Sequence, residues 1–118
     1  MLTNAKINAR IRVTLAQALA ATGKSALVPD LLKLLANPVV AEEVRMSVAE
    51  AIGILGENKA SVEKLCDLWQ YYALRDPLHL SVLVETIYQA LWAVSRRAGV
   101  IIVRVGTEYK VLDKQHSQ

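Results

Sequence analysis

The chain of 118 residues holds one cysteine, Cys66, and two histidines, His79 and His116. A hydroxyl or thiol nucleophile needs a base within hydrogen-bond reach. His79 stands beside Pro77 at a helix start and His116 lies in the C-terminal tail, so neither can be assembled with a nucleophile. No second ligand stands at metal spacing from either histidine. Cys66 follows Leu65 on an apolar stripe and reads as a buried, inert thiol. Being alone, it excludes an internal disulfide. Glycines 23, 53, 56, 99 and 106 are scattered punctuation rather than the clustered glycines of a phosphate loop. These residues describe a non-catalytic chain with no cofactor and no metal.

The elements that would have to position any site are rich in small and aliphatic side chains. Hydrophobic residues make up 53% of the chain, yet aromatics are 5% and phenylalanine is absent. Alanine, leucine and valine therefore supply the apolar mass, which favours close helix packing over an aromatic sheet core. No apolar run approaches the roughly 20 residues of a membrane span. The N-terminal stretch lacks the apolar segment of a signal peptide. The expectation is a cytoplasmic protein, or a cytoplasmic piece of one, with no membrane contact. The net charge of +3 is unevenly spread: residues 1–33 carry five basic groups and one acid, residues 34–95 four and eight, and residues 96–118 five and two. Basic ends thus flank an acidic middle.

Taken in order, the apolar positions predict five helices and a hairpin. Thr3 or Asn4 caps a first helix that Gly23 ends; its apolar positions from Ile7 to Leu19 recur at spacings of three and four. Ser25 opens a second helix with Pro29 in its first turn and Asn37-Pro38 after its end. A third starts near Val40 or Ala41, with Glu42 and Glu43 in its first turn, and stops at Gly56. A fourth covers 60–74 with Ser61 as cap. A fifth covers about 78–98, its stripe running from Leu80 to Val94, and Gly99 ends it. Residues 100–105 then change to a β-branched run, with a return strand at 109–112. A three-residue loop at 106–108 would put Ile101, Val103, Val105, Tyr109 and Val111 on one face and Arg104 with Lys110 on the other. A lone hairpin is marginal in water, so the apolar face should dock on the helices.

One string occurs twice. Residues 11–23, IRVTLAQALAATG, return 33 residues later as residues 44–56, VRMSVAEAIGILG. Ala26, Val28, Leu31 and Leu34 then correspond to Ala60, Val62, Leu65 and Leu68 after a one-residue adjustment. Two helices in about 33 residues is the period of an α-solenoid. A degraded third copy shows at Glu85 and Gln89–Leu91, after an insertion around 71–78. The fold class is therefore all-α: a right-handed α-solenoid of about two and a half helical hairpins over residues 1–99, with a β-hairpin cap and tail over 100–118. Each unit has an apolar stripe that only stacking can hide.

Val44-Arg45, Ala49, Ala51, Ile52-Gly53, Leu55-Gly56 and the following Ala60-Ser61-Val62 with Leu65 resemble the HEAT repeat, in the short form of bacterial HEAT-like and phycobilisome-lyase-like proteins. The resemblance spans roughly residues 8–98. It departs from the family pattern in the irregular last unit, at Trp92 where the family would have glycine, and in the hairpin.

The resemblance implies a protein–protein interaction module or scaffold, possible as a terminal domain of a larger protein. It implies that the Val-Arg helices line the ligand-facing surface, where Thr14, Ser47 and Thr86 would form one outward row and Gln17, Glu50 and Gln89 another. It gives Arg12 and Arg45 a bridging role between units. Trp69 and Trp92 sit at helical spacing with leucines and are expected in the core. Two alternatives remain open. The final helix and hairpin resemble the recognition helix and wing of winged-helix proteins, with Arg96, Arg97, Arg104 and Lys110 on phosphates; the modest overall charge argues against it. A chromophore-lyase-like accessory subunit is the other. The outer hairpin edge could also pair with a second copy to give a homodimer.

Overall fold

A short 3-10 turn, Ser25–Leu27, leads into helix α1, Val28–Ala36. Here the chain is a computed structural model that describes residue 18 and residues 25–113. The expected first helix, with Arg12, Thr14 and Gln17, lies outside the described residues. In α1 the fixed φ of Pro29 suits the first turn, and Asp30 and Lys33 sit at the ends that the helix dipole favours. Val28, Leu31 and Leu35 are buried along one face. The Asn37 Oδ1 accepts the Val39 N–H at 2.9 Å, which turns the chain away before it re-enters a helix.

Helix α2, Glu42–Leu55, is the packing centre. Ser47, Val48, Ala49, Ala51, Ile52, Gly53 and Leu55 are all buried, more than one apolar stripe requires. It needs them because α1 packs on one side and α4 on another. Helix α3 is Lys59–Leu74. Its cap is Asn58, whose Oδ1 accepts the Ser61 N–H at 2.9 Å. Ser61, the expected cap, is instead a buried residue of the first turn.

Helix α4 is Val82–Ala98, shorter than expected by several residues. The carboxylate of Asp76 accepts the N–H groups of Leu80 at 2.9 Å and Ser81 at 3.0 Å, holding them outside the helix. Ser81 then caps by accepting the Val84 N–H at 3.2 Å. Leu80, expected on the core stripe, therefore lies in the connection and is 76% exposed. Gly99 closes α4 at φ 69°, a left-handed conformation that glycine adopts without a Cβ penalty.

Strands β1, Val100–Val105, and β2, Glu108–Asp113, form an antiparallel hairpin. Val105 pairs with Glu108, so the loop is the two residues Gly106-Thr107 and not three. Gly106 takes φ 66° at the first loop position, the place where a type II′ turn wants glycine. Moving the loop by one residue flips the expected faces. Val100 and Ile102 pair with Asp113 and Val111, and with Tyr109 they form the face against the helices. Ile101, Val103, Val105 and Leu112 share the opposite, outward face with Lys110. Arg104 and Lys110 are thus on different faces, correcting the shared face expected for them.

The elements stand in two rows. α2 and α4 lie side by side in one; α1, α3 and the hairpin lie in the other, with β2 against α3. Between rows, α1 packs on α2, α3 on α4, and β1 on α4. The hairpin thus holds the place in its row that another helix would take in a longer array. A continuous core runs through both rows, from Leu35 past Ile52 and Leu65 to Leu91, Val94 and Val100.

Candidate functional site: a groove between two helices

The contact of α2 with α4 is close because its side chains are small. A Cβ added to Gly53 would lie 3.2 Å from both Cα and Cβ of Ala90. Gly56 is equally restricted, since its added Cβ would meet a Val94 methyl and the Ile52 carbonyl oxygen at 2.9 Å. Its backbone is extended, so this glycine is required by proximity and not by a left-handed turn.

Two arginines tie α2 to its neighbours. Arg45 donates from Nε to the Val40 carbonyl and from a terminal nitrogen to the Tyr72 hydroxyl, each at 3.0 Å. The Tyr72 hydroxyl in turn donates a hydrogen bond to the Leu35 carbonyl at 2.9 Å. One chain of hydrogen bonds therefore ties α2 to α3 and α1, which is the bridging role expected of Arg45. Arg97 donates to the carbonyl oxygens of Gly56, at 2.9 Å, and Gly53. A guanidinium at the C-terminal carbonyls of α2 complements that end of its dipole.

Ser47, Glu50, Ala51, Gly53, Ile54, Thr86 and Gln89 border one open groove of about 440 Å³ between α2 and α4. Four of the six residues expected to form the polar rows are thus brought together; Thr14 and Gln17 lie outside the described residues. Glu50 and Gln89 are exposed and Thr86 is half-buried. Ser47 is not outward, as expected, but buried, its hydroxyl donating to the Glu43 carbonyl at 3.1 Å. Thr86 donates to the Val82 carbonyl at 2.8 Å, and the Gln89 amide donates to Glu85 Oε2 at 3.2 Å.

The four basic candidates do not form a phosphate-binding face. Arg96 is exposed, but Arg97 is committed to α2 and Arg104 Nε donates to the Gly106 carbonyl at 3.1 Å. Lys110 points from the other side of the hairpin. The outer edge of β2 is also occupied at Tyr109, whose backbone is held by the side-chain amide of Gln70. Pairing with a second copy through this edge would have to displace that amide.

Cys66 is buried, and burial, helped by the nearby Asp67 charge, pushes its thiol pKa up while the Gln70 hydrogen bond opposes this. It is the protonated, unreactive form that this environment favours. Among the described residues no group of three or more His, Cys, Asp or Glu side chains could hold a metal ion. None of the described helices is long and apolar enough to cross a membrane.

The sequence reading missed an aromatic cluster. Trp69 lies 5.3 Å from Tyr88 and 4.9 Å from Tyr109 between ring centroids, and Tyr88 lies 6.1 Å from Trp92. Trp92, expected in the core, is 39% exposed. Trp69, Tyr88 and Trp92 carried a helical-spacing signal, but Tyr109 joins them only through the register of the hairpin.

The repeated helix pair, its small-residue crossing and its bridging arginine meet a match to the family model for HEAT repeats over residues 3–76, more than half of the chain. The chain is a HEAT-repeat protein. Comparison with curated proteins and with solved structures gives no significant match. HEAT repeats generally mediate protein–protein interaction or scaffolding and are typically non-catalytic. In this HEAT-repeat protein the matched segment takes in α1, α2 and α3, while α4 and the hairpin lie beyond it.

Proposed function

We propose that this HEAT-repeat chain is a non-catalytic interaction module that binds a segment of a protein partner in the groove between α2 and α4. The observation that carries the reading is the meeting of Glu50, Thr86 and Gln89 on one open groove whose floor is the Gly53–Ala90 crossing. Small residues at the crossing keep the floor shallow, so a partner's backbone can approach. Glu50 and Gln89 offer acceptors and an amide for orientation, and Ile54 beside them is 61% exposed and offers apolar surface. Such a mixture suits a segment that presents donors to Glu50 and an aliphatic side chain to Ile54.

The test compares wild type with the Glu50→Arg, Gln89→Arg double variant in affinity capture from the source cell, followed by direct titration of any recovered protein. A Lys64→Glu variant, changed on α3, is the control. A partner retained by wild type and control but lost by the double variant supports the groove. A partner bound equally by all three places binding elsewhere and sinks the reading.

A further inference from the structure

A second hollow, of about 370 Å³, opens between α3, α4, the connection at 75–81 and the hairpin. It shares no lining residue with the α2/α4 groove. Four aromatic side chains line it: Trp69, Tyr88, Trp92 and Tyr109. Their rings meet at 66° for Trp69 with Tyr109, 81° for Tyr88 with Trp92 and 39° for Trp69 with Tyr88. Two carboxylates, Asp76 and Glu85, line it as well, and neither lysine nor arginine does. Both carboxylates are held in place, Asp76 by the backbone of Leu80 and Ser81 and Glu85 by the Gln89 amide. His79, at the mouth, has φ 57°, an uncommon conformation for a residue with a Cβ. The segment that supplies Asp76, His79 and Ser81 to the hollow also carries exposed aliphatic side chains: Leu74 is 80% exposed, Leu78 74%, Leu80 76% and Val82 59%.

Aromatic faces beside fixed negative charge attract organic cations, and they do so more strongly when water is partly excluded. Four exposed aliphatic side chains in one short segment are more than the singly scattered ones normal on a protein surface. We propose that the hollow and its aliphatic rim dock a basic, aliphatic peptide segment of a protein partner. An arginine or lysine side chain enters among the rings, between Asp76 and Glu85. Its aliphatic neighbours cover Leu74, Leu78, Leu80 and Val82. The charge decides between a peptide and a lipid surface. Membrane-inserting loops set lysine or arginine beside their leucines to meet anionic headgroups. Here the hollow presents carboxylates, and the nearby Arg75 guanidinium is stacked 3.7 Å from the Tyr71 ring centroid and donates to the Tyr71 carbonyl.

The chain contains two tryptophans, and both line this hollow, so tryptophan emission, excited selectively over tyrosine, reports on it. The probes are the acetylated, amidated pentapeptide Leu-Ala-Arg-Ala-Leu, the same peptide with glutamate at its centre, and vesicles of phosphatidylcholine and phosphatidylserine. The arginine peptide should give a saturable spectral change. Tyr88→Ala should weaken it about two- to fivefold, the share of one ring. Glu85→Lys should weaken it more. Circular dichroism checks that both variants remain helical. No change at millimolar peptide, an equal response to the glutamate peptide, a response confined to vesicles, or unaltered binding by folded Glu85→Lys would each overturn the proposal.

Discussion

The side chain of Gln70 on α3 binds both backbone polar groups of Tyr109 on β2: it accepts the Tyr109 N–H at 2.9 Å and donates to the Tyr109 carbonyl at 3.3 Å. A carboxamide carries the same donor and acceptor as a peptide group. Gln70 thus stands where a neighbouring strand would, and a helix supplies one rung of a β-ladder. The Cys66 thiol donates to the same carbonyl at 3.8 Å, a weak third bond. Together with the buried Val100 and the Trp69–Tyr109 ring contact, this fixes the hairpin on the helices.

Replacing Gln70 by alanine should therefore loosen the hairpin rather than α3. The half-buried Tyr109 N–H would lose its partner, at a cost of about 1–2 kcal/mol. Urea unfolding should show this loss. Amide exchange should show it locally, with faster exchange at Tyr109 and little change in α2. An unchanged exchange rate at Tyr109 would mean that the hairpin is held by its apolar face alone.

At Gly53 two effects oppose each other. Alanine favours a helix interior over glycine by about 1 kcal/mol. Its Cβ, however, would press on Cα and Cβ of Ala90, which cannot swing away as a long side chain could. Overpacking of this kind costs about 1–3 kcal/mol. Gly53→Ala should therefore destabilise the chain, by roughly 1 kcal/mol net. Ala90→Gly in the same chain should relieve the contact with the Ala90 Cβ and leave the one with its Cα, so the rescue should be partial. A double-mutant cycle with no coupling between the two positions would show that α2 and α4 separate freely.

Cys66 gives a pH signature. Burial raises its folded pKa, so the folded chain holds the thiol proton more tightly than the unfolded chain does. The associated stability is complete below the unfolded value of about 8.5 and falls as pH rises from there through the folded value. Urea midpoints measured from pH 7 to 10 should fall more steeply for wild type than for Cys66→Ala. Parallel slopes would show that the thiol ionises as easily in the folded chain. Alkylation of Cys66 at pH 7.5 should be slow in buffer and fast in denaturant.

The helices were legible because each leaves a period in the sequence and punctuation at its ends. The copy of residues 11–23 at 44–56 gave the solenoid, and the alanines and Gly53 within it gave the close crossing. The cap positions were less legible. Ser61 and Asn58 are both capping residue types, and Asn58 caps because the backbone bends there. Leu80 fits a helical stripe by spacing, yet Asp76 takes its N–H and stops the helix short of it. Glu50, Thr86 and Gln89 border the groove as helical spacing predicts, but helical period alone cannot tell that Ser47 faces the crowded side of α2.

Sequence by itself determined the helical repeat, the ends at Gly56 and Gly99, and the switch to strands after Gly99, since all of these follow from local spacing and backbone preference. Tertiary structure decided the rest. A loop one residue shorter reversed the hairpin, because side chains alternate faces at every residue. That reversal sent Tyr109 to Gln70 and to the ring of Trp69, and left Ile101 and Leu112 outward. Arg97 was drawn to the carbonyls at the end of α2, forty or more residues away along the chain. Contacts over that distance leave no period in a sequence, because they depend on how two rows of elements are stacked.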